Sequence, residues 1–305
     1  MRSKDHPLEE RSRGLLVVGH VNVDRFLSVT EFPSPDRTAP IVGSRTALGG
    51  TAANVARSAR SLGIPTGLVG RIGEDFPRAF LDLLTQDSID LRGLELVASA
   101  GTPTCYILEN MVHETEVLID QGPMDAPPPP DPPAGLLDEY AWLHLTTGAP
   151  AWQIAWKKLA RSAGLRVAVD PGQEIYYRWS PKEMLDLLDS AEILFGNRSE
   201  IDRIVTMLGL SGPEELLARV PLIVRTEGPR GATAFARTGR RRVPARPVPR
   251  PSTTVGAGDA FRGGFYSGWL SGAPLGNCLA AGNRSAARWV QHGPPKRGRR
   301  RGSPP

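Results

Sequence analysis

Segments rich in β-branched and apolar residues alternate along this chain with segments whose apolar positions recur every three to four residues, and this alternation limits the fold more than any other feature. Residues 14 to 24, GLLVVGHVNVD, read as a buried parallel strand that delivers polar groups to its C-terminal end. Ala52, Val55, Ala56, Ala59 and Leu62 make a helical stripe that Gly63 closes as a C-cap. Further strands are expected at 66–70, 102–108, 116–119, 142–145, 166–169 and 192–195, and further helices at 76–84, 152–163, 181–188 and 199–208. Parallel neighbours need a crossover of about a dozen residues, and the helices supply it. The expected fold is α/β: a mostly parallel central sheet covered by helices on both faces. Two stretches depart from the alternation. Residues 25–48, broken by Pro33, Pro35 and Pro40, and residues 102–121 are expected to pair with each other as a small β lid.

At 305 residues and 32.9 kDa the chain suits one large domain, read here as 14–290, with residues 291–305 as a basic tail of disorder-like composition. No apolar run approaches the roughly 20 residues of a spanning helix. The charged start, MRSKDHPLEERSR, has no apolar leader core, which points to the cytoplasm. Cys105 and Cys278 are too few for a disulfide framework and read as buried thiols. The net charge of +5 is a property of the tail, where Lys296, Arg297, Arg299, Arg300 and Arg301 stand without an acid. Arg237 to Arg250 holds six arginines among Pro and Val and reads as a solvated hairpin. A Pro-rich loop is expected at 127–133.

Two segments carry chemistry. In TTVGAGDAFRGGF, residues 253–265, Gly256, Ala257 and Gly258 stand where a helix should begin, and a helix N-terminus with small residues receives an anion. Asp259 follows at once; beside a phosphate site a carboxylate suits proton acceptance from an incoming hydroxyl. A bland alternative makes Asp259 only a cap. In LGGTAANVARSARSLG, residues 48–63, Gly49 and Gly50 allow close backbone approach, and the Asn54 amide one turn into the helix can donate and accept at once. Alone, that segment also fits an ordinary turn.

Together the two segments resemble the N- and C-terminal signatures of the ribokinase-like (PfkB) kinases, about 200 residues apart. Between them, in order, lie Asp24, DPG at 170–172, NRSE at 197–200 and TEGPRG at 226–231. The resemblance implies a ribokinase-like three-layer α/β/α fold and transfer of the ATP γ-phosphate with Mg²⁺. It implies that Asp24, Asn22, Gly49, Gly50, Asn54 and Gln173 hold the acceptor, that Asp259 is the base, and that Gly256, Ala257 and Gly258 form the anion hole. It implies a nucleotide site at Asn197, Glu200, Thr226, Gly228, Gly231 and Asn283, with Glu200 organising Mg²⁺ through water. FPSPDRTAPI, TPTCYIL, DPGQ and LFGNRSE resemble archaeal nucleoside kinases most, so a nucleoside leads as acceptor, with a sugar or sugar phosphate as alternatives. Two departures stand out. Thr253 replaces the usual Asp, and Val255 offers no side-chain oxygen where many relatives have Thr, which puts a monovalent cation in doubt. A homodimer through the lid is expected, from its open strand edges and from the family.

Other classes fit less well. GHVNVD lacks the GxGxxG turn of a dinucleotide-binding oxidoreductase, and no GxxxxGK[ST] loop is present. A non-catalytic regulator that keeps the kinase fold and binds nucleic acid through the tail leaves an intact GAGD without a use. His20 and His144, at strand ends, read as packed or substrate-adjacent polar groups; Trp152, Trp156, Tyr176 and Tyr177 read as core or rim.

Overall fold

The computed structural model describes residues 14–295 except 113, 127–130 and 250. Most of the basic tail and part of the Pro-rich loop therefore lie outside the described residues. In chain order the elements are β1 (Leu15–Val18), β2 (Asn22–Val29), β3 (Ile41–Gly49), α1 (Thr51–Ser61), β4 (Thr66–Gly73), α2 (Arg78–Gln86), β5 (Asp90–Val97), β6 (Thr104–Glu109) and β7 (Thr115–Asp120). They continue with β8 (Trp142–Leu145), α3 (Pro150–Ser162), β9 (Arg166–Val169), α4 (Pro181–Leu188), β10 (Ile193–Asn197), α5 (Arg198–Met207) and β11 (Leu222–Thr226). Last come the hairpin β12 (Ala232–Ala236) and β13 (Gly239–Val243), then α6 (Ala257–Trp269) and α7 (Leu275–His292).

Nine strands form one sheet in the order β13-β12-β11-β10-β9-β8-β1-β4-β5. From β11 to β5 all neighbours are parallel; only the β12–β13 hairpin runs antiparallel at one edge. Alternate residues of each strand feed two cores. Leu16 and Val18 join Trp152, Trp156, Met184 and Ile204 under α3, α4 and α5. Leu15 and Val17 face the other way, against α1, α6 and α7 through Ala52, Phe261 and Leu279. Helices on both faces make the expected three layers, with Trp152 and Trp156 in the core.

β1 has β4 on one side and β8 on the other, so the chain winds outward in both directions from this strand. Ligands in open α/β sheets bind outside the carboxyl ends of the strands at such a point. The polar residues Thr146, Asp170, Asn197 and Glu227 all follow or end strands at that edge.

The four-stranded lid, in the order β3-β2-β6-β7, pairs β2 with β6 in parallel, which joins the two segments that departed from the alternation. One expectation needs correction. GLLVVGHVNVD is two strands: β1 ends at Val18, and β2, from Asn22, already belongs to the lid. Gly19 permits the exit, since its φ of 152° and the space beside it admit no side chain; a Cβ there would lie 1.9 Å from Thr146 Oγ1. Asp24 is thus a lid residue, not the end of a core strand. β5 went unpredicted because its residues are half-exposed at the sheet edge, without the apolar run of the central strands. Cys278 is buried as expected, but Cys105 is only half-buried.

Candidate active site

The two signature segments meet. α1 and α6 pack side by side, with Ser58 Oγ donating to the Ala260 carbonyl at 3.1 Å and Gly263 leaving no room for a Cβ beside Ser58. One turn towards their N-termini, Asn54 Nδ2 donates to Asp259 Oδ2 at 3.0 Å across 205 residues of sequence. Burial pushes the Asp259 carboxyl up to about 7, while the Asn54 hydrogen bond and Arg262 pull it down and Asp170 and Asp24 add to the rise.

The residues expected to hold the acceptor gather at the lid hairpin. Asn22 pairs with Gly49 and Asp24 with Ala47 along β2 and β3, and the Asp24 carboxyl lies so close to Gly49 that a Cβ there would sit 2.0 Å from its Cγ. Gly50, at φ 93°, presses against the His20 carbonyl and starts α1. Asp24 is buried, and desolvation pushes it up to about 7 against the pull of Arg45. Asn22 Oδ1 is buried with no hydrogen-bond partner, an acceptor waiting for a donor. Gln173 does not join this group: it is exposed, and its neighbour Glu174 is the buried residue, accepting from the Gly148 N–H and from Gln121 and Arg178.

α6 begins as the spacing of glycines implied. Gly256 takes the left-handed conformation at φ 80°, and a Cβ on it would strike Trp289 at 2.7 Å. The Ala257 N–H turns back to the Thr254 carbonyl at 3.2 Å. The next two N–H groups, those of Gly258 and Asp259, have no backbone acceptor among the described residues.

Among the residues expected to take the nucleotide, Asn197 and Glu200 form a capping box for α5: Asn197 Oδ1 accepts from the Glu200 N–H at 2.9 Å and Glu200 Oε2 from the Asn197 N–H at 2.6 Å. Thr226 Oγ1 reaches the Gly196 carbonyl at 3.5 Å, and Gly228 and Gly231 hold positive φ angles of 56° and 96° in the loop that follows. Asn283, on α7, spends its amide on the carbonyls of Val243 and Pro244, and that same turn packs against Gly231. Glu227, buried under the loop, gathers Arg198 and Arg225 at 3.0 and 2.8 Å, which hold it below its ordinary value although burial alone would raise it.

No group of three or more His, Cys, Asp or Glu that could hold a metal ion occurs among the described residues. Glu200 still suits a magnesium bound mainly by phosphates and water. Its buried carboxyl is pushed up by desolvation and by Asp170, and a cation would relieve both.

Two features were not read from the sequence. Asp170 and Arg262 form a buried ion pair that acts on both Asp259 and Glu200. The signal was a lone Arg in the small and apolar run AFRGGF after Asp259. The second is the chain of hydrogen bonds from Thr51 to Thr147 to His20 to Gln121, which ties the lid to the carboxyl ends of β1 and β8.

A carboxylate on the first turn of a helix, under a β lid, at the carboxyl edge of a doubly wound sheet defines a ribokinase-like phosphotransferase. The family model "pfkB family carbohydrate kinase" matches residues 12–296, and the chain belongs to that family. It is 33% identical over 270 residues to a nucleoside kinase of Methanothermobacter thermautotrophicus, covering 87% of this chain and 85% of the relative. An ATP-dependent ribose-1-phosphate kinase of Halopiger xanaduensis is 30% identical, covering 90% of both chains. The crystal structure of the Methanocaldococcus jannaschii nucleoside kinase superposes with a TM-score of 0.85 at 25% identity, over 93% of this chain and 95% of that one. Among the described residues no helix is long and apolar enough to cross a membrane.

Proposed function

We propose that the protein transfers the γ-phosphate of ATP to a hydroxyl of a nucleoside, the 5′-OH of its ribose, with Asp259 as general base. The carrying observation is the 3.0 Å contact between Asn54 and Asp259, which brings the acceptor-side and phosphate-side signatures to one point. Asp24 and Asn22 bind sugar hydroxyls, the orphaned Asn22 Oδ1 accepting a hydrogen bond from one of them. Gly49, Gly50 and Asn54 complete that wall. The acceptor oxygen attacks the terminal phosphorus, its proton passes to Asp259, and the bond from that phosphorus to the β-phosphate oxygen breaks to release ADP. Gly256 to Gly258 shape the start of α6, and the N–H groups of Gly258 and Asp259 meet the charge on the transferred group. Asn197, Thr226, Gly228 and Gly231 line the nucleotide phosphates, and the turn held by Asn283 supports that loop. Glu200 would hold a magnesium ion, which would neutralise charge on the phosphates.

A nucleoside is favoured by the relatives that bear that name, and the Halopiger xanaduensis relative keeps a sugar phosphate as the second reading. The protein works in the cytoplasm as a homodimer joined through its lids. The test is an ATP- and Mg²⁺-dependent assay over adenosine, inosine, guanosine, cytidine, ribose, fructose and ribose 1-phosphate, with Asp259→Asn alongside. At least one nucleoside should turn over, with about a thousandfold loss in the variant. Turnover of ribose 1-phosphate alone overturns the acceptor, and an Asp259→Asn variant of undiminished rate overturns the mechanism.

A further inference from the structure

Arg262 leaves α6 about one turn beyond Asp259, between Ala260, Phe261, Gly263 and Gly264. It is 4% exposed, and a buried guanidinium persists only when paired and hydrogen-bonded. Asp170 supplies the pair in a fork, with Arg262 Nε to Oδ2 at 2.7 Å and Nη2 to Oδ1 at 3.1 Å. The remaining nitrogen, Nη1, turns back to the Gly258 carbonyl at 3.1 Å. Gly258 admits this approach, since a Cβ there would lie 3.0 Å from Nη1.

Asp170 is itself anchored. Its N–H donates to the Leu145 carbonyl at 2.8 Å, and His144 Nε2 lies 3.8 Å from its Oδ2. His144 is fully buried and held neutral, pushed down to about 4 by desolvation. Its Nδ1 faces the Tyr266 hydroxyl at 2.9 Å. With the proton on Nε2, the ring turns its N–H edge towards the Asp170 carboxylate, beyond hydrogen-bond distance, and Tyr266 donates to Nδ1; the other tautomer aims a lone pair at an anion. A continuous path therefore runs from β8 through Asp170 and Arg262 to the turn that precedes the base.

We infer that Arg262 is a positioning residue for phosphoryl transfer: braced on Asp170, it grips the Gly258 carbonyl and holds the first turn of α6, with its N–H groups and the Asp259 carboxylate, in one orientation over the carboxyl edge of the sheet. The inference rests on the reading of Asp259 as the base and adds what keeps that base in place. The turn needs such a brace because the loop before it, Thr254 and Val255, is exposed and is otherwise tied through Trp289 Nε1 to the Val255 carbonyl at 2.8 Å.

The charged groups that act on Asp259 are Arg262 on its own helix, Asp170 after β9 and Asp24 from the lid, while α1 presents the neutral Asn54. Glu200 of α5 and His144 of β8 face the Arg262–Asp170 pair. Arg262 favours the ionised Asp259 and Asp170 opposes it, so the two charges move the base in opposite directions.

The experiment compares Arg262→Met, Arg262→Lys and the double variant Asp170→Asn/Arg262→Met in the full chain, by pH profiles of kcat and kcat/KM and by ¹³C NMR titration of the Asp259 carboxyl. The double variant guards against a fold lost to a stranded buried carboxylate. For Arg262→Met we expect kcat to fall about 10- to 100-fold with the acceptor KM little changed, and the Asp259 titration to move up by about one unit. Lys should restore the titration but not kcat, because one ammonium cannot make the fork and reach Gly258 together. The double variant should return the titration towards the parent and keep the low kcat. A folded Arg262→Met protein with parental kcat and an unmoved titration overturns the inference, as does full rescue by Lys. If the parent turns over no acceptor, the functional reading fails separately, and the NMR titration, which needs no turnover, still decides this one: an unmoved Asp259 overturns it.

Discussion

Asp24 and Asp259 are both carboxyls that burial pushes up to about 7. For Asp259, the proposed base, this fixes the direction of the pH dependence: the proposed proton acceptor is the carboxylate, so kcat/KM should rise with pH through about 7 and level above it. A profile flat from pH 5 to 9 removes Asp259 from the rate-determining proton transfer. For Asp24 the consequence is thermodynamic. A folded-state value above the ordinary 3.8 means that stability is fully present below about pH 4 and declines as pH rises towards 7, where the folded chain must carry a buried anion. Asp24→Asn should therefore raise the melting temperature at pH 8 by roughly 2 to 5 °C, change little at pH 4, and cost acceptor affinity. Equal shifts at both pH values would exclude ionisation as the cause. The sequence marked both residues by type and order, but not their environment. Gly19 and His20 do interrupt the apolar run of GLLVVGHVNVD, but a Gly-His pair does not by itself say that the chain leaves the sheet there; the Gly19 φ of 152° does.

Elements whose own apolar pattern decides their place were legible in advance. β8, β9 and α4 fall where their apolar patterns put them, and a Ser180–Glu183 capping box starts α4 in the structure. Edge elements were not. β5 is half-exposed, and its place is set by pairing with β4 rather than by its own composition. Functional signal and helix signal also overlap: NRSE is both a motif and the start of α5, so Asn197 has a structural duty as well as the proposed phosphate contact. Substitution can separate the two. Asn197→Ala should cost about 1 kcal/mol of stability through the lost cap and raise the KM for ATP. Asn197→Ser keeps a side-chain oxygen for the Glu200 N–H, so it should restore stability to within about 0.5 kcal/mol but leave that KM raised. If Ser restores both, Asn197 is a cap only.

Across the whole molecule the lid carries apolar surface that its own fold does not cover. β7 is exposed along its length, with Val117 at 51% and Leu118 at 62%, and Ile41 and Val42 at the far edge of the same sheet are each 58% exposed. An open edge strand bearing apolar side chains is a template for another strand, and a second copy of this chain offers the same sheet with two-fold symmetry. Because β2 of this sheet also holds Asp24, partner packing on the lid should stiffen the wall that binds the acceptor. Sedimentation equilibrium should give twice the 32.9 kDa of the chain. Leu118→Glu, which puts charge on that face without touching the site, should yield monomers and raise the acceptor KM severalfold while leaving the KM for ATP near its parental value, since the residues proposed for the nucleotide lie on the large sheet and the helices and loop beside it. A parental protein that sediments as a monomer removes the lid as an interface. A monomeric Leu118→Glu variant with an unchanged acceptor KM separates assembly from binding, and the exposed strand then serves association alone.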